Sequence, residues 1–129
     1  MAVRLSAAEW ERLTGEKAPK GIAPRRVKGV MNKLESKFAD EVLFPRKFVG
    51  EIKEFWFESD VLELAPRTTY SPDFRVQLPD DATEYYEIKG GHTWEDSIVK
   101  LKVAAALYPQ CRFYLCKRQG KSWTIRRVE

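Results

Sequence analysis

The spacing of apolar residues changes along this 129-residue chain, and the change limits the folds it can adopt. From Val27 to about residue 43, apolar side chains recur every three or four residues, which is typical of an amphipathic helix. From Glu51 they alternate with polar residues, as in half-buried strands. Helical spacing returns after Thr93, and alternation returns at Arg112. The pattern predicts an α/β (α+β) domain with a mixed sheet flanked by helices.

Turn and capping residues give these elements bounds. Pro45 is expected to end the first long helix, and Thr93 and Pro109 to begin and end the second. The predicted strands cover residues 52–57, 61–64, 73–78, 84–89, 112–117 and 123–128. Residues 1–26 are interpreted as a short helix, over residues 7–14, and a basic connector. Residues 27–129 then form the main domain.

Composition excludes several classes of protein. The longest apolar run, Val103–Tyr108, is too short for a membrane span or the core of a signal peptide, so a cytoplasmic protein without membrane contact is expected. A single histidine, His92, excludes sites built on several histidine ligands. Two cysteines are too few for a disulfide framework. Any chemistry must therefore depend on carboxylates and lysines.

Charge is unevenly distributed along the chain. Residues 1–50 have 11 Lys and Arg against 6 Asp and Glu, and residues 100–129 have 8 against 1. Residues 51–99 reverse the balance, with 4 against 12. The basic flanks would attract a phosphate backbone, whereas the acidic middle would repel it unless cations intervened.

The acidic middle contains two carboxylates in a suggestive arrangement. Asp73 and Glu87 are symmetric about residue 80, the centre of the turn predicted between two strands. Residues related in this way face each other across a hairpin, with Cβ atoms about 5 Å apart. Two like charges so placed are destabilising unless a cation lies between them, and oxygen ligands suit Mg²⁺ or Mn²⁺. Lys89 is predicted on the same face. On the first helix, Glu35 and Glu41 lie on opposite borders of the apolar stripe, and a carboxylate at a border can reach the edge of whatever the stripe packs on.

These residues resemble the motif of a known family. Pro72-Asp73 followed by Glu87-Ile88-Lys89 resembles the PD-(D/E)xK nuclease superfamily. The wider strings at residues 70–74 and 86–90 are similar to small phage-encoded members related to endonuclease I-type Holliday junction resolvases. The resemblance covers about residues 27–115 and implies a restriction-endonuclease-like α-β-β-β-α-β core.

The resemblance also implies roles for individual residues. Asp73 and Glu87 would match the metal-binding acids, with the Ile88 carbonyl as a further ligand and Lys89 as the catalytic lysine. A carboxylate from the first helix is common in the family, and the context of Glu35 favours it over Glu41. The cofactor would be Mg²⁺ or Mn²⁺, which activates water and polarises a scissile phosphate.

Basic residues outside the motif are candidates for DNA contact. The connector contains three of them, the family often has lysines on the second helix, and the glycine loop after Lys89 contains a histidine. The predicted DNA-binding residues are Arg25, Arg26, Lys28, Lys100, Lys102 and His92.

The predicted function is a Mg²⁺-dependent DNA endonuclease, structure-specific and acting on branched DNA in phage DNA processing. A junction resolvase needs two cuts and hence a homodimer, for which an exposed hairpin at Phe55-Trp56-Phe57 would supply an apolar surface. A restriction-type or end-processing nuclease is the alternative enzyme. A non-catalytic nucleic-acid-binding module on the same fold is the non-enzymatic alternative.

Overall fold

The computed structural model describes residues 29–90 and 95–129. The helical elements are α1 (Lys33–Phe38), a π-helical segment (Ala39–Leu43), α2 (Phe44–Phe48) and α3 (Glu95–Leu107). The strands are β1 (Glu54–Phe57), β2 (Leu62–Ala65), β3 (Thr68–Tyr70), β4 (Phe74–Gln77), β5 (Thr83–Lys89), β6 (Arg112–Gln119) and β7 (Ser122–Val128).

Five of the seven strands in the described part of the chain form one mixed sheet, in the order β1-β4-β5-β6-β7. Strands β5 and β6 are parallel, and the other neighbours are antiparallel. Helix α3 connects the two parallel strands, as a crossover connection requires. Strands β2 and β3 pair in a separate two-stranded sheet. The predicted α+β class with a mixed sheet is confirmed.

Helix α1 covers one face of the sheet through an aromatic cluster. The ring of Phe38 lies 5.8 Å from the rings of Phe74 and Tyr86. It also lies 5.1 Å from the ring of Trp123, measured between centroids. Phe38 is fully buried, and burial of such a ring contributes about 2–3 kcal/mol to the free energy of unfolding. The cluster fixes α1 against β4, β5 and β7.

Helix α3 covers the opposite face. Its buried residues Leu101 and Ala104 pack with Tyr85, Phe113 and Leu115 of strands β5 and β6. Two hydrogen bonds attach this region to the small sheet: Lys100 of α3 donates from its ammonium to a backbone carbonyl of β3, and Tyr108, immediately after α3, donates from its hydroxyl to one of β2. The main sheet is therefore enclosed between helices on both faces.

The first helix differs from its prediction at both ends. It begins at Lys33, and Gly29–Asn32 are not helical. Pro45 does not end it, because the backbone N–H of Phe44 donates to the carbonyl of Ala39 in a π-helical turn. Pro45 then falls in the first turn of α2, the part of a helix in which proline is tolerated.

The expected apolar hairpin at Phe55-Trp56-Phe57 is a wrong prediction. The Phe55 ring packs 4.9 Å from the ring of Phe44, and the Phe57 ring packs 5.3 Å from the ring of Phe74. Strand β1 pairs with β4 and lies at the sheet edge, so its alternate side chains turn into the core. Trp56 is exposed, and the guanidinium of Arg75 lies over it.

Some predictions concern residues that the structure does not describe. The helix over residues 7–14 and the Thr93 cap lie outside the described residues, as do Arg25, Arg26, Lys28 and His92. The boundary between residues 26 and 27 stays a prediction. No helix within the two described ranges has the length and hydropathy needed to span a membrane.

Candidate metal centre

Three carboxylates converge at one end of the main sheet. Glu35, Glu58 and Asp73 each offer an oxygen, and within the described ranges these oxygens all lie within 4.8 Å of one another. Glu35 and Asp73 are buried, with 2% and 4% of their surface exposed. Such closely spaced carboxylates repel each other when ionised, and a cation between them offsets the repulsion.

Asp73 stands immediately before β4, where the predicted hairpin register is confirmed. Phe74 pairs with Tyr86 and Gln77 with Thr83, so continuation of the ladder sets Asp73 opposite Glu87. One Asp73 carboxylate oxygen accepts a 2.7 Å hydrogen bond from the backbone N–H of Ile88. The Asp73 carboxylate therefore accepts the hydrogen bond that a backbone carbonyl would accept from Ile88 if the pairing of β4 with β5 continued.

Glu58 reaches the cluster through the pairing of β1 with β4. Phe57 is the register partner of Phe74, and the backbone N–H of Glu58 donates to the Asp73 carbonyl at 2.8 Å. Glu58 has a positive φ of 49°, a left-handed conformation that turns the chain after β1. The sequence pattern places Glu58 in the connection between two predicted strands, at residues 52–57 and 61–64, and does not indicate that it belongs to the site.

Glu35 reaches the cluster because α1 begins over the end of β5. A side-chain methyl of Leu34 lies 3.6 Å from the position that a Cβ on Gly90 would occupy. Phe38, about one helical turn after Glu35, anchors α1 to the sheet through the aromatic cluster. The structure thus brings the predicted helix carboxylate next to Asp73.

Glu41, the alternative helix carboxylate, lies elsewhere. It accepts hydrogen bonds from the Arg118 guanidinium and, at 2.8 Å, from the Trp123 indole N–H. The hydrogen bond from Arg118 lowers the pKa of Glu41 below its ordinary value. Glu41 therefore connects the first helical region to the β6–β7 hairpin and is not one of the three convergent carboxylates.

Glu87 is held beside the cluster by two other side chains. The Tyr70 hydroxyl donates a 2.6 Å hydrogen bond to one carboxylate oxygen, and the Lys89 ammonium lies 3.2 Å from the other. Burial raises the pKa of Glu87 to about 7, and the nearby charge of Asp73 adds to the shift. Glu87 is close enough to Asp73 for their charges to interact but does not belong to the group of three.

Two neutral groups, the Tyr70 hydroxyl and the Cys116 thiol, and one cation, Lys89, lie close to Glu87. Burial and the Glu87 charge raise the pKa of Tyr70 far above its ordinary value, so the hydroxyl keeps its proton and acts as a donor. Burial likewise raises the pKa of the Cys116 thiol, which is a poor nucleophile in this form. Lys89 is the cation that the structure sets against Glu87, and its side chain is only 14% exposed.

The two lysines predicted to bind DNA from the second long helix, which is α3 in the structure, lie within the described residues. Lys100 and Lys102 are exposed on α3. The Lys100 ammonium donates to the Thr69 carbonyl at 3.2 Å, so part of its hydrogen-bonding capacity is already used. The predicted roles of both lysines, and that of the Ile88 carbonyl as a metal ligand, stay predictions.

Comparison with known proteins gives no match for this chain among protein-family models, curated proteins or solved structures. The residues of the site and their geometry are therefore the basis for assigning a function.

Proposed function

We propose that this protein is a divalent-metal-dependent DNA endonuclease. The observation that carries the proposal is the convergence of Glu35, Glu58 and Asp73 beside the ion pair of Glu87 and Lys89. Carboxylates for a hard cation and a lysine for the phosphate are the groups that phosphodiester hydrolysis requires. The motif Pro72-Asp73 with Glu87-Ile88-Lys89 supplies Asp73 of the three convergent carboxylates, together with Glu87 and the lysine.

The order of elements also supports the proposal. Elements α1, β1, β4, β5, α3 and β6 follow one another as α-β-β-β-α-β, the order that the family resemblance implies. The β2–β3 hairpin lies between the first and second strands of this series as an insertion. The site residues lie at the ends of consecutive elements of that series, as a nuclease core would require.

The three carboxylates fit a divalent cation. Mg²⁺ binds oxygen ligands at 2.0–2.1 Å in octahedral geometry, so two ligand oxygens on one ion lie about 3–4 Å apart. The carboxylate oxygens here lie within 4.8 Å of one another, and small side-chain rotations would bring them into range. Their all-oxygen composition favours Mg²⁺ or Mn²⁺ over metals that prefer nitrogen or sulfur.

Each residue of the chain has a distinct task in this proposal. A divalent ion bound by Glu35, Glu58 and Asp73 would acidify water and polarise the scissile phosphate. Lys89, largely withdrawn from solvent, would stabilise negative charge that develops on the phosphate. Glu87 orients the Lys89 ammonium through one oxygen. Tyr70 fixes the other oxygen of Glu87. Glu87 is thereby a positioning residue in addition to its predicted role as a ligand.

A cleavage assay tests the proposed function. Wild type is incubated with Mg²⁺ or Mn²⁺ on duplex, single-stranded, flap and four-way-junction DNA, beside Glu87→Ala. We expect metal-dependent cleavage by wild type and a loss of about 100-fold or more in the variant, because Lys89 loses its buried partner. Glu51→Ala is the matched control, since Glu51-Ile52-Lys53 repeats the tripeptide at an exposed position.

The outcome of the assay separates the alternatives. Preference for the junction would support a resolvase, which would then act as a homodimer because it makes two cuts. Preference for duplex or ends would favour a restriction-type or end-processing nuclease. Absence of cleavage with intact DNA binding would contradict the proposal and favour a non-catalytic binding module.

Glu58 provides a separate test of the metal centre. Glu58→Gln keeps the shape of the side chain and removes its charge, so we expect Mn²⁺ to bind at least about tenfold more weakly. Isothermal titration calorimetry of the full chain measures the affinity. The control is Glu63→Gln, an exposed glutamate on β2, which should bind Mn²⁺ as wild type does. Equal affinities for the two variants would exclude Glu58 as a ligand.

A further inference from the structure

The β6–β7 hairpin has an unusual charge composition. Residues 112–128 include six Lys and Arg and no Asp or Glu. Arg112 lies 3.8 Å from a carboxylate oxygen of Glu84, and Arg127 lies the same distance from one of Glu129. Arg118 is paired with Glu41. Three of the six cations thus have carboxylate partners, and in the described residues Lys117, Lys121 and Arg126 have none.

Strand register places two of the unmatched cations on one face. Lys117 is the register partner of Lys89 in the parallel pair β5–β6, so both side chains project to the same side of the sheet. Arg126 is the register partner of Leu115 in β6–β7, and Leu115 shares the face of Lys117 because it lies two residues away. Lys89, Lys117 and Arg126 therefore occupy one face on three consecutive strands.

This cationic row begins at the candidate metal centre. Adjacent strands are about 4.8 Å apart, and Arg126 lies two residues along β7 from Thr124, the register partner of Lys117, so the row runs diagonally for about 12 Å from Lys89 across β6 to β7. Like charges directly opposite each other destabilise a sheet. Lys89 is compensated by Glu87, whereas no carboxylate in the described residues compensates Lys117. An external anion in contact with the row would offset this repulsion.

We propose that the cationic row formed by Lys89, Lys117 and Arg126 binds the phosphate backbone of duplex DNA next to the cleavage site. The inference deepens the proposed function, on which it depends for the orientation of the substrate. A chain of phosphates, rather than a single anion, matches cations spaced along three strands and leading away from the carboxylates. The row lies on the face that α3 covers at Leu115. Arg126 is nevertheless exposed and Lys117 is half-buried, so both are accessible beside the helix to a backbone lying over the sheet edge.

Binding of a labelled DNA duplex by the full chain tests the inference. Fluorescence anisotropy is measured in EDTA and again with Ca²⁺, at salt concentrations from about 50 to 200 mM. For the double variant K117A/R126A we expect affinity about tenfold weaker than wild type. We also expect the slope of log affinity against log salt to become shallower by about 1.8, or 0.9 for each lost phosphate contact.

The matched control is K47A/K53A, which removes the same charge. Lys47 and Lys53 form exposed ion pairs with Glu54 and Asp81 near β1, the opposite edge of the sheet. We expect less than a twofold effect on DNA binding. Melting temperatures of both double variants verify that each remains folded.

Each outcome has a defined meaning. Equal affinities and salt slopes for K117A/R126A and wild type would overturn the inference, and so would equal losses in both double variants. Failure of wild type to bind duplex in either condition would also overturn it. Weaker binding by K117A/R126A without cleavage by wild type would support the DNA-binding row and contradict the nuclease. Cleavage by wild type with unchanged binding by K117A/R126A would support the nuclease and contradict the DNA-binding row.

Discussion

Replacement of Asp73 by asparagine is expected to abolish Mg²⁺-dependent cleavage while DNA binding is retained or becomes tighter. Asp73 is buried, contributes an oxygen to the group with Glu35 and Glu58, and lies opposite Glu87. Asparagine keeps an oxygen that can accept the hydrogen bond from Ile88 but removes the negative charge. Loss of charge weakens cation binding and also reduces repulsion of the phosphate backbone. We expect cleavage to fall by about 1000-fold or more, as when a group central to electrostatic stabilisation is removed.

The chain offers a control for this substitution. Pro79-Asp80 repeats the Pro72-Asp73 dipeptide, but Asp80 is exposed in the β4–β5 turn and accepts a hydrogen bond from the Ala82 N–H at 3.0 Å. Asp80→Asn should cleave DNA at the wild-type rate. Cleavage rates are measured under single-turnover conditions, with binding measured by anisotropy. An Asp73→Asn variant that cuts within about threefold of wild type would contradict the assignment.

The local part of the site was predictable from the sequence. The register of β4 and β5 follows from symmetry about residue 80, because a hairpin pairs residues at equal distances from its turn. That symmetry placed Asp73 opposite Glu87. Lys89 lies on the same face as Glu87 because it follows two residues later on the same strand. Alternation within each strand then separated the side chains of the two faces. Short-range geometry therefore sufficed for these positions.

The contribution of Glu58 was not predictable in the same way. Glu58 follows the strand that ends at Phe57, and alternation alone cannot show which other strand β1 pairs with. The observed partner is β4, and β2 and β3 intervene in sequence between the two. Had that pairing been known, Phe57 opposite Phe74 would have set Glu58 next to Asp73. Pairing between distant segments depends on packing of the whole core, which periodicity does not describe.

Helical spacing identified two border carboxylates, and long-range contacts distinguish them. Glu41 accepts hydrogen bonds from Arg118, which is 77 residues away in sequence, and from Trp123. Glu35 lies one turn before Phe38, whose ring packs against β4 and β5. The recurrence of apolar residues every three or four positions also did not predict the π-helical turn or the continuation of the helix through Pro45. These features depend on where the helix is anchored rather than on its own periodicity.

Glu87→Gln is expected to stabilise the metal-free protein at alkaline pH. In the folded protein, burial and the charge of Asp73 raise the pKa of Glu87 from an ordinary value of 4.5 to about 7. At a pH between 4.5 and about 7, Glu87 therefore keeps its proton in the folded state and has lost it in the unfolded state. The stabilisation from this proton is fully present below pH 4.5 and is lost as pH rises through 7. A shift of about 2.5 pH units corresponds to about 3 kcal/mol.

The measurement is the free energy of unfolding of wild type and Glu87→Gln in EDTA, from urea denaturation at pH 5, 6, 7 and 8. Glutamine resembles the protonated acid at every pH. The two proteins should therefore differ little near pH 5, and the variant should be more stable by up to about 3 kcal/mol at pH 8. Glu51→Gln, at the exposed glutamate of the repeated tripeptide, should follow wild type throughout. A constant difference between wild type and Glu87→Gln would contradict a titrating Glu87.

Addition of Mg²⁺ at pH 8 links this titration to the proposed site. A cation bound beside Glu87 favours its ionised form, so wild type should recover much of the stability that it lost on deprotonation. Glu87→Gln has no charge to compensate and should gain less from the same concentration of Mg²⁺. The gap between the two proteins should then narrow as Mg²⁺ is added, whereas Glu51→Gln should gain as much as wild type. Equal stabilisation of wild type and Glu87→Gln would exclude Glu87 from the charge balance of the metal centre, because only a group that senses the cation changes its titration when the cation binds.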